Sequence, residues 1–346
     1  MTASLDILSP GLATTVQDLG RPGYLHLGIP AGGALDAFSL RAANALVGNA
    51  PDVGALEIAY RGPRFRVAVR SARIACFGAS ASIVLRREGV RRKLDVGRSH
   101  CLLLGDEVDI GAVAGAAILY AAFEGGFDIA PALGAVSTYV RGGLGGWHGR
   151  ALKAGDRLPL ARHRVEDRAE AMLEGLELPP TRCLRVVDGP QTDHFADDQI
   201  AAFYNSEYGV GSGADRMGAR LFGSPVSPAR GHDIVSDAIS LGSIQIPGDG
   251  QPIVLRCEHQ TTGGYPKIAT VISADWPALG RLAIGDKVRF QRVTMDEADA
   301  ARRAYAVSVE SLPTRITPVP VEVDLASRLW AANLISGVCD ARLNLD

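Results

Sequence analysis

Leu152-Lys-Ala-Gly-Asp-Arg-Leu158 recurs later in the chain as Leu282-Ala-Ile-Gly-Asp-Lys-Val288. Each copy sets Gly-Asp between an apolar residue and a basic–apolar pair, the composition of a tight turn that feeds a strand. A second echo lies upstream of each copy. Gly28-Ile-Pro-Ala-Gly-Gly-Ala-Leu-Asp36 precedes a helical run that closes on Gly48, and Gly209-Val-Gly-Ser-Gly-Ala-Asp215 precedes a shorter one that closes on Gly223. Each Asp stands at an N-cap position, where a carboxylate accepts from orphan backbone N–H groups. Each closing Gly stands where a left-handed residue ends a helix. Leu35 and Leu40 are spaced for a hydrophobic staple across the first cap. Turn chemistry can recur by chance, but two echoes in the same order favour duplication of one β-rich unit.

Working outward, the pattern is mostly strand. Phe65-Arg-Val-Ala-Val69 alternates, and Arg73-Ile-Ala-Cys-Phe77 does so loosely. Ser82–Leu85 and Lys93–Val96 flank the charged turn Arg86–Arg92, which predicts a hairpin with a solvated tip. Ile110–Phe123 is the most apolar segment and reads as buried strand. Arg162–Leu178 is rich in Arg, Glu, Ala and Leu and ends in Pro179-Pro180, which marks a helical or extended linker. A strand-like run, Arg182–Val187, restarts the pattern. The expected fold is mainly β, of the α+β type, built from two tandem β-rich units. The expected division is a first domain over 1–161, a linker over 162–180, a second domain over 181–312 and a tail over 313–346. In the tail, Asp324–Gly337 predicts a short amphipathic helix that docks on its own domain or on a partner.

Bulk composition excludes several classes. The 346 residues are 47% hydrophobic and 21% charged, with a formal net charge of -2. That balance gives no electrostatic reason to expect nucleic acid or an anionic membrane as partner. Five cysteines, none in a CxxC pair, argue against a disulfide framework and for a reducing cytoplasm. Neither a signal peptide nor a membrane-length apolar helix is legible. Walker A, GxGxxG, GxSxG and HExxH motifs are missing, and the seven histidines are scattered without zinc spacing, so no bound metal is expected. No Ala-Met-Lys-Met tetrapeptide occurs. Biotin chemistry therefore requires a separate carrier, and ATP chemistry an unconventional site or a partner chain.

Three constellations carry chemistry. The first runs from Thr14 to Tyr24 and on through His26 to Asp36, with Gln17, Asp18 and Arg21 among dense glycines and prolines. Arg21 either clamps a carboxylate or phosphate, or pairs with Asp18 to hold the loop. The second is Tyr208–Gly218. Arg216, in the first turn of the expected helix, sits against the local dipole, which points either to an anion-gripping role or to a structural ion pair. The third comprises Ser236-Asp237, Gly242–Gln245 and Gln260-Thr-Thr-Gly-Gly-Tyr-Pro266. Gln245 and Gln260 each offer an amide donor and acceptor. The backbone N–H groups of Gly263 and Gly264, with Thr261 and Thr262, suit an oxyanion pocket. The same residues also make good β-turn sequence.

The stretches VQDLGRPGY, GIPAGGALDAFSLRAANALVGN, ALEI, ADRMGARLFG, SDAISLGSIQIPGDGQPIVL, QTTGGYPKIATV and NLISGVCDA together resemble the family of C-type subunits of 5-oxoprolinase, also called allophanate hydrolase subunit 2 or biotin-dependent carboxyltransferase-like proteins. The resemblance covers about residues 10–340. It implies two tandem cyclophilin-like β-barrels related by internal duplication. It implies a B-type partner (kinase-inhibitor-like) and a separate A-type protein, which together open the lactam of 5-oxo-L-proline to L-glutamate with ATP as co-substrate. Related sequences carry carboxyl from biotin to urea, and one regulates a kinase pathway without catalysis, so both remain alternatives. The expected catalytic set is Gln245, Gln260, Thr262, Gly263, Gly264 and Tyr265. The expected substrate- and anion-binding set is Arg21, His26, Asp36, Asp215, Arg216 and His259. Where the family commonly carries Asp-Arg before QTTGGYP, this chain has Glu258-His259, which opens the prospect of a pH-sensitive base at His259.

Overall fold

The computed structural model describes residues 3–173, 175–176, 178 and 182–320. The expected tail helix over 324–337 lies outside the described residues, as does the Pro179-Pro180 boundary. The rest is mainly β, with four α-helices among the described residues: α1 (Ala37–Leu46), α2 (Asp197–Asn205), α3 (Trp276–Arg281) and α4 (Met295–Glu310).

The first β-structure is a nine-stranded curled sheet. Its spine is a pair of long antiparallel strands, Ser71–Arg87 and Glu107–Phe123, which includes the apolar run read as buried strand. Register shifts at Gly78/Ser80 and Ala81/Ile83 bend this pair, as bulges do. Strands Ala13–Gln17, Ala55–Ala59, Arg64–Ala68, Ser4–Ser9, Arg157–Pro159, Val90–Leu94 and Ser99–Leu103 complete the curl. The expected charged hairpin is present: Arg87 pairs with Val90, and Glu88 and Gly89 both take positive φ, as a two-residue primed turn requires. Leu5, Ile7, Phe65, Val67, Leu119 and Phe123 fill the interior.

The second β-structure closes. Cys183–Asp188, Lys267–Val271, Ser243–Gln245, Ile253–Leu255, Gly218–Phe222, Tyr208–Val210 and Lys287–Arg292 form a seven-stranded barrel, shut by the parallel pairing of its first and last strands. Leu184, Phe203, Tyr208, Leu221, Val254 and Phe290 fill it. Closure leaves no unpaired edge.

The repeated Gly-Asp turn has the same geometry in both halves. Gly155 and Gly285 both have φ of 87°. The Gly155 N–H donates to the Ile7 carbonyl at 2.8 Å and the Gly285 N–H to the Val210 carbonyl at 2.9 Å. Asp156 accepts from the Lys153 N–H at 2.7 Å, and Asp286 from the Ala283 N–H at 2.8 Å. Each turn thus clips onto a neighbouring strand by the same bonds, as duplication predicts.

The other echo holds only once. Asp36 caps α1, accepting from the Phe38 and Ser39 N–H groups at 3.1 and 3.0 Å, and Gly48 is left-handed at φ 77°. No helix follows Asp215. Its carboxylate accepts from the Met217 and Gly218 N–H groups at 2.8 and 3.1 Å, closing an Asx turn into the strand Gly218–Phe222. That strand alternates half-buried and buried residues up to the exposed Phe222 and pairs with Ile253–Leu255, and the tertiary pairing overrides the local cap signal.

The segment 162–173 is extended rather than helical. Val165 donates its N–H to Ser71 Oγ at 3.1 Å, and Ala171–Leu173 pairs with Ile316–Pro318. Glu124, almost fully buried, gathers Arg73 at 2.5 Å and Arg162 at 2.9 Å. A third core, around α1, packs Leu40, Leu46, Phe77 and Tyr120 with Cys257 of the second β-structure, so the two halves share buried surface.

Candidate functional site

Arg216 sits between the two halves, not in a helix. Its Nε donates to Glu258 Oε1 at 2.5 Å, Nη1 pairs with Glu57 and Nη2 donates to the Gly33 carbonyl at 2.6 Å. Glu57 comes from the strand Ala55–Ala59 of the first sheet. Its other oxygen accepts from the Leu35 N–H at 2.9 Å and the Tyr120 hydroxyl at 2.5 Å. The Tyr120 hydroxyl in turn accepts from the Asp36 N–H at 3.0 Å, and Asp36 pairs with Arg281 of α3 at 3.0 Å. Burial opposes the charge on Arg216, but the acidic groups of Cys257, Glu57 and Glu258 outweigh it and hold the guanidinium charged well above its usual range. Burial, with Glu57 and Asp36 beside it, pushes the Tyr120 phenol well up, so that it stays neutral. Of the two roles open to Arg216, the structure gives it the ion pair: two carboxylates occupy the donors that an anion would need. Asp36 likewise serves as cap and ion-pair partner, and Asp215 as turn former with a surface bridge to Arg141 at 2.8 Å.

Arg21 is buried yet pairs with no carboxylate among the described residues. Its Nε donates to the Ala132 carbonyl at 3.3 Å and Nη2 to the Ser137 carbonyl, while Nη1 has no partner. Asp18 holds the same 132–137 segment from the other side, through the Val136 N–H at 2.7 Å and Ser137 Oγ. The Arg21–Asp18 pair, one of the two alternatives for Arg21, is therefore replaced by two separate braces. Burial lowers the Arg21 pKa, and Asp18, Glu258 and Arg216 all lie within electrostatic reach. His26 stands exposed on the 3-10 turn Leu25–Leu27, apart from these groups.

The third constellation forms a ribbon on the closed barrel. Asp237–Ala238 pairs with Thr262–Gly263, and the Gly264 carbonyl accepts from the Ile234 N–H at 2.8 Å. Gln245, 2% exposed, lies beneath it, and its Nε2 is a buried donor with no partner. Glycine at 263 is what lets the ribbon close: a Cβ there would stand 2.6 Å from Gln245 Nε2 and 3.6 Å from Gln260 Nε2. The two glutamine amides thus converge on Gly263, while Gln260, Thr262 and Tyr265 are exposed on the same ribbon. His259 is buried, with Nδ1 2.6 Å from the Gln260 carbonyl. Burial pushes its imidazole below the ordinary range, against the pull of that hydrogen bond.

The run Glu258-His259-Gln260 joins the ion-pair centre to the ribbon. Sequence reasoning missed three members of this assembly. Glu57 was visible as an acid inside the apolar strand ALEI. Lys267, 2% exposed, pairs with Asp237 at 2.9 Å and is the cross-strand neighbour of Gln245; its signal was a lysine opening the apolar strand Lys267–Val271. Arg281 carried no signal, because its partner Asp36 lies in the other half of the chain. A cavity of about 450 Å³ between the halves is walled by Glu57, Arg216, Asp215 and Tyr60, the last in a left-handed conformation at φ 63°. Among the described residues no cluster of His, Cys, Asp or Glu could hold a metal ion.

Residues 27–292 match the family model described as carboxyltransferase domain, subdomain A and B. The chain is 34% identical over 317 residues to the 5-oxoprolinase C subunit of Escherichia coli (strain K12), covering 90% of this chain and 98% of that protein. It is 33% identical to the 5-oxoprolinase C subunit of Haemophilus influenzae, covering 89% of this chain and 97% of that one. Among solved structures, K. lactis urea amidolyase superposes with a TM-score of 0.82 at 27% identity, over 90% of this chain but only 20% of the amidolyase.

Proposed function

Because this chain belongs to the carboxyltransferase-domain family of subdomains A and B, we propose that it is the C-type subunit of an ATP-dependent 5-oxoprolinase, acting with B-type and A-type partner proteins in the cytoplasm. The observation that carries this reading is one of extent. The match to the E. coli 5-oxoprolinase C subunit spans 98% of that protein, whereas the amidolyase match spans one-fifth of a much longer chain. The chain thus matches a C-type subunit along nearly that protein's whole length, and we assign it the division into 1–161 and 181–312 with the linker between.

In the reaction, ATP transfers its γ-phosphoryl to the lactam oxygen and leaves as ADP, a first water adds to the activated carbon, the C–N bond breaks with its nitrogen taking up a proton to give an acyl phosphate of glutamate, and a second water hydrolyses this to glutamate and phosphate. Such chemistry requires positioning and charge stabilisation more than covalent help. The unclaimed Gln245 Nε2 donates to the lactam carbonyl, and Gln260 and Tyr265 orient the ring. Thr262 with the Gly263 and Gly264 backbone holds the developing oxyanion. His259 has Nδ1 engaged by the Gln260 carbonyl, which leaves Nε2 as its proton-accepting atom for the attacking water. Arg21, not Arg216, has a guanidinium nitrogen to spare for negative charge. The ribbon is exposed at Gln260, Thr262 and Tyr265, which agrees with a site that a partner chain completes.

The test is reconstitution with the A- and B-type proteins. ATP-dependent conversion of 5-oxoproline to glutamate is expected, and no product with all three proteins present ends the reading. A carboxyltransferase role is the second reading, favoured by the TM-score of 0.82 to urea amidolyase. It predicts bicarbonate-dependent ATP turnover and a biotinylated carrier.

A further inference from the structure

A separate cavity of about 420 Å³ lies where the loop 19–37 meets α3 and α4. Three arginines line it, Arg41, Arg256 and Arg302, and no aspartate or glutamate does. Arg256 is 4% exposed. Its Nη1 donates to the Asp215 carbonyl at 3.3 Å, and Nη2 to the Leu279 and Leu282 carbonyls at 3.0 and 3.2 Å. The last two are carbonyls at the C-terminal end of α3, which a cation braces well. Yet every acceptor is a neutral carbonyl, and Nε has no partner at all. Asp215 and Glu57 act on it only at electrostatic range, and a buried cation without a direct ion pair is costly to keep. Arg41 donates to the Tyr305 hydroxyl at 3.2 Å and makes no ion pair among the described residues. Arg302 pairs with Asp299, one turn back on α4, at 2.8 Å. The remaining wall is apolar, including Leu19, Leu241, Trp276 and Pro277. The indole N–H of Trp276 is already spent on the Val271 carbonyl at 3.2 Å, so the tryptophan offers the cavity its ring.

We infer that this cavity binds a small organic anion, a carboxylate or phosphate on a compact apolar body. The three arginines hold the charge, and the Trp276 side holds the body. Guanidinium forks match both oxyanions, while a bare inorganic ion would leave the apolar wall wet. The cavity is of a size usual for small-ligand sites. The site is distinct from the Gln245–Gln260 ribbon and stands whether or not lactam hydrolysis is the reaction.

Titration calorimetry on the full chain tests it, with benzoate, phenyl phosphate and inorganic phosphate as probes. Saturable binding of an organic probe is expected, with inorganic phosphate at least about tenfold weaker. The tighter of benzoate and phenyl phosphate identifies the head group. Arg41→Gln and Arg302→Gln, both at the cavity edge, should each weaken that probe about tenfold while leaving the ligand-free melting temperature in place. Arg256→Met, where it folds, should abolish binding. No saturation by either organic probe up to about 10 mM overturns the site, as does binding that Arg41→Gln and Arg302→Gln leave unchanged. Inorganic phosphate binding as tightly as the organic probes overturns the apolar-body half of the inference.

Discussion

Replacing Arg216 by Met is the sharpest probe of how the halves are joined. The guanidinium touches Glu258 and Glu57, whose side chains are each 4% exposed. Methionine keeps much of the volume but leaves two largely buried carboxylates facing each other at the interface. Breaking a buried ion pair by removing one partner costs about 3–5 kcal/mol, and here one cation serves two anions. The loss should therefore fall at the upper end, a third or more of a typical total stability of about 5–15 kcal/mol. With a urea dependence of about 3 kcal/mol/M, the unfolding midpoint should drop by about 1–2 M. The assay is urea unfolding followed by far-UV circular dichroism and tryptophan fluorescence. The decisive comparison is the triple variant Arg216→Met, Glu57→Gln, Glu258→Gln, which removes the orphaned charges. It should regain most of the loss, because replacing a whole buried ionic group is far cheaper than splitting one. A single variant that loses less than about 1 kcal/mol, the level of an exposed pair, would refute the reasoning. So would a triple variant no more stable than the single one.

Three further outcomes follow from the same geometry. Gln245→Leu should leave thermal stability unchanged or slightly raised, since Nε2 has no partner to lose, while turnover by the reconstituted complex falls on the order of 10²-fold; steady-state kinetics and a melting curve decide. Burial pushes the Cys76 and Cys257 thiols up to about 12, so at pH 8 only about one in 10⁴ is thiolate; peptide mapping after brief maleimide treatment should find Cys183, which is exposed, modified and these two intact until the protein is unfolded. The lowered pKa of His259 means the unfolded chain binds its proton more readily than the folded one. Its contribution to stability is therefore complete above about pH 6.5 and lost as pH falls through the folded value, and His259→Gln should flatten the decline in urea midpoint between pH 7.5 and 5.5.

What the sequence made legible were the places where a few adjacent residues dictate the backbone. Gly155-Asp156 and Gly285-Asp286 clip their strands by the same bonds, and Glu88-Gly89 turns its hairpin, because each outcome depends on local φ and on a side chain within three residues. Asp36 and Asp215 show the limit. Both follow glycine-rich stretches and both bond the N–H groups two and three residues ahead, yet one starts a helix and the other a strand. The difference is the partner at Ile253–Leu255, which no local signal announces. Helix α4 was legible and passed over: Thr294 and Glu297 form a full capping box, but the helix has no fully buried residue, so its apolar pattern is weak.

The candidate site divides along the same line. The ribbon residues Gln260–Tyr265 are contiguous, so their composition alone marks them as a polar bend. The requirement that fixes Gly263 arises only when the strand bearing Gln245 is laid beneath it, since a Cβ there would collide with Gln245 Nε2 and with Ile239 Cδ1, both at 2.6 Å. Arg216 was read against a helix dipole that does not exist, and its real determinants, Glu57 and Glu258, lie 159 and 42 residues away in sequence. Long-range ion pairs of this kind cost desolvation that only a completed fold repays. The pairings that weld the two halves together therefore could not announce themselves in the chain, whereas the exposed residues of the ribbon could.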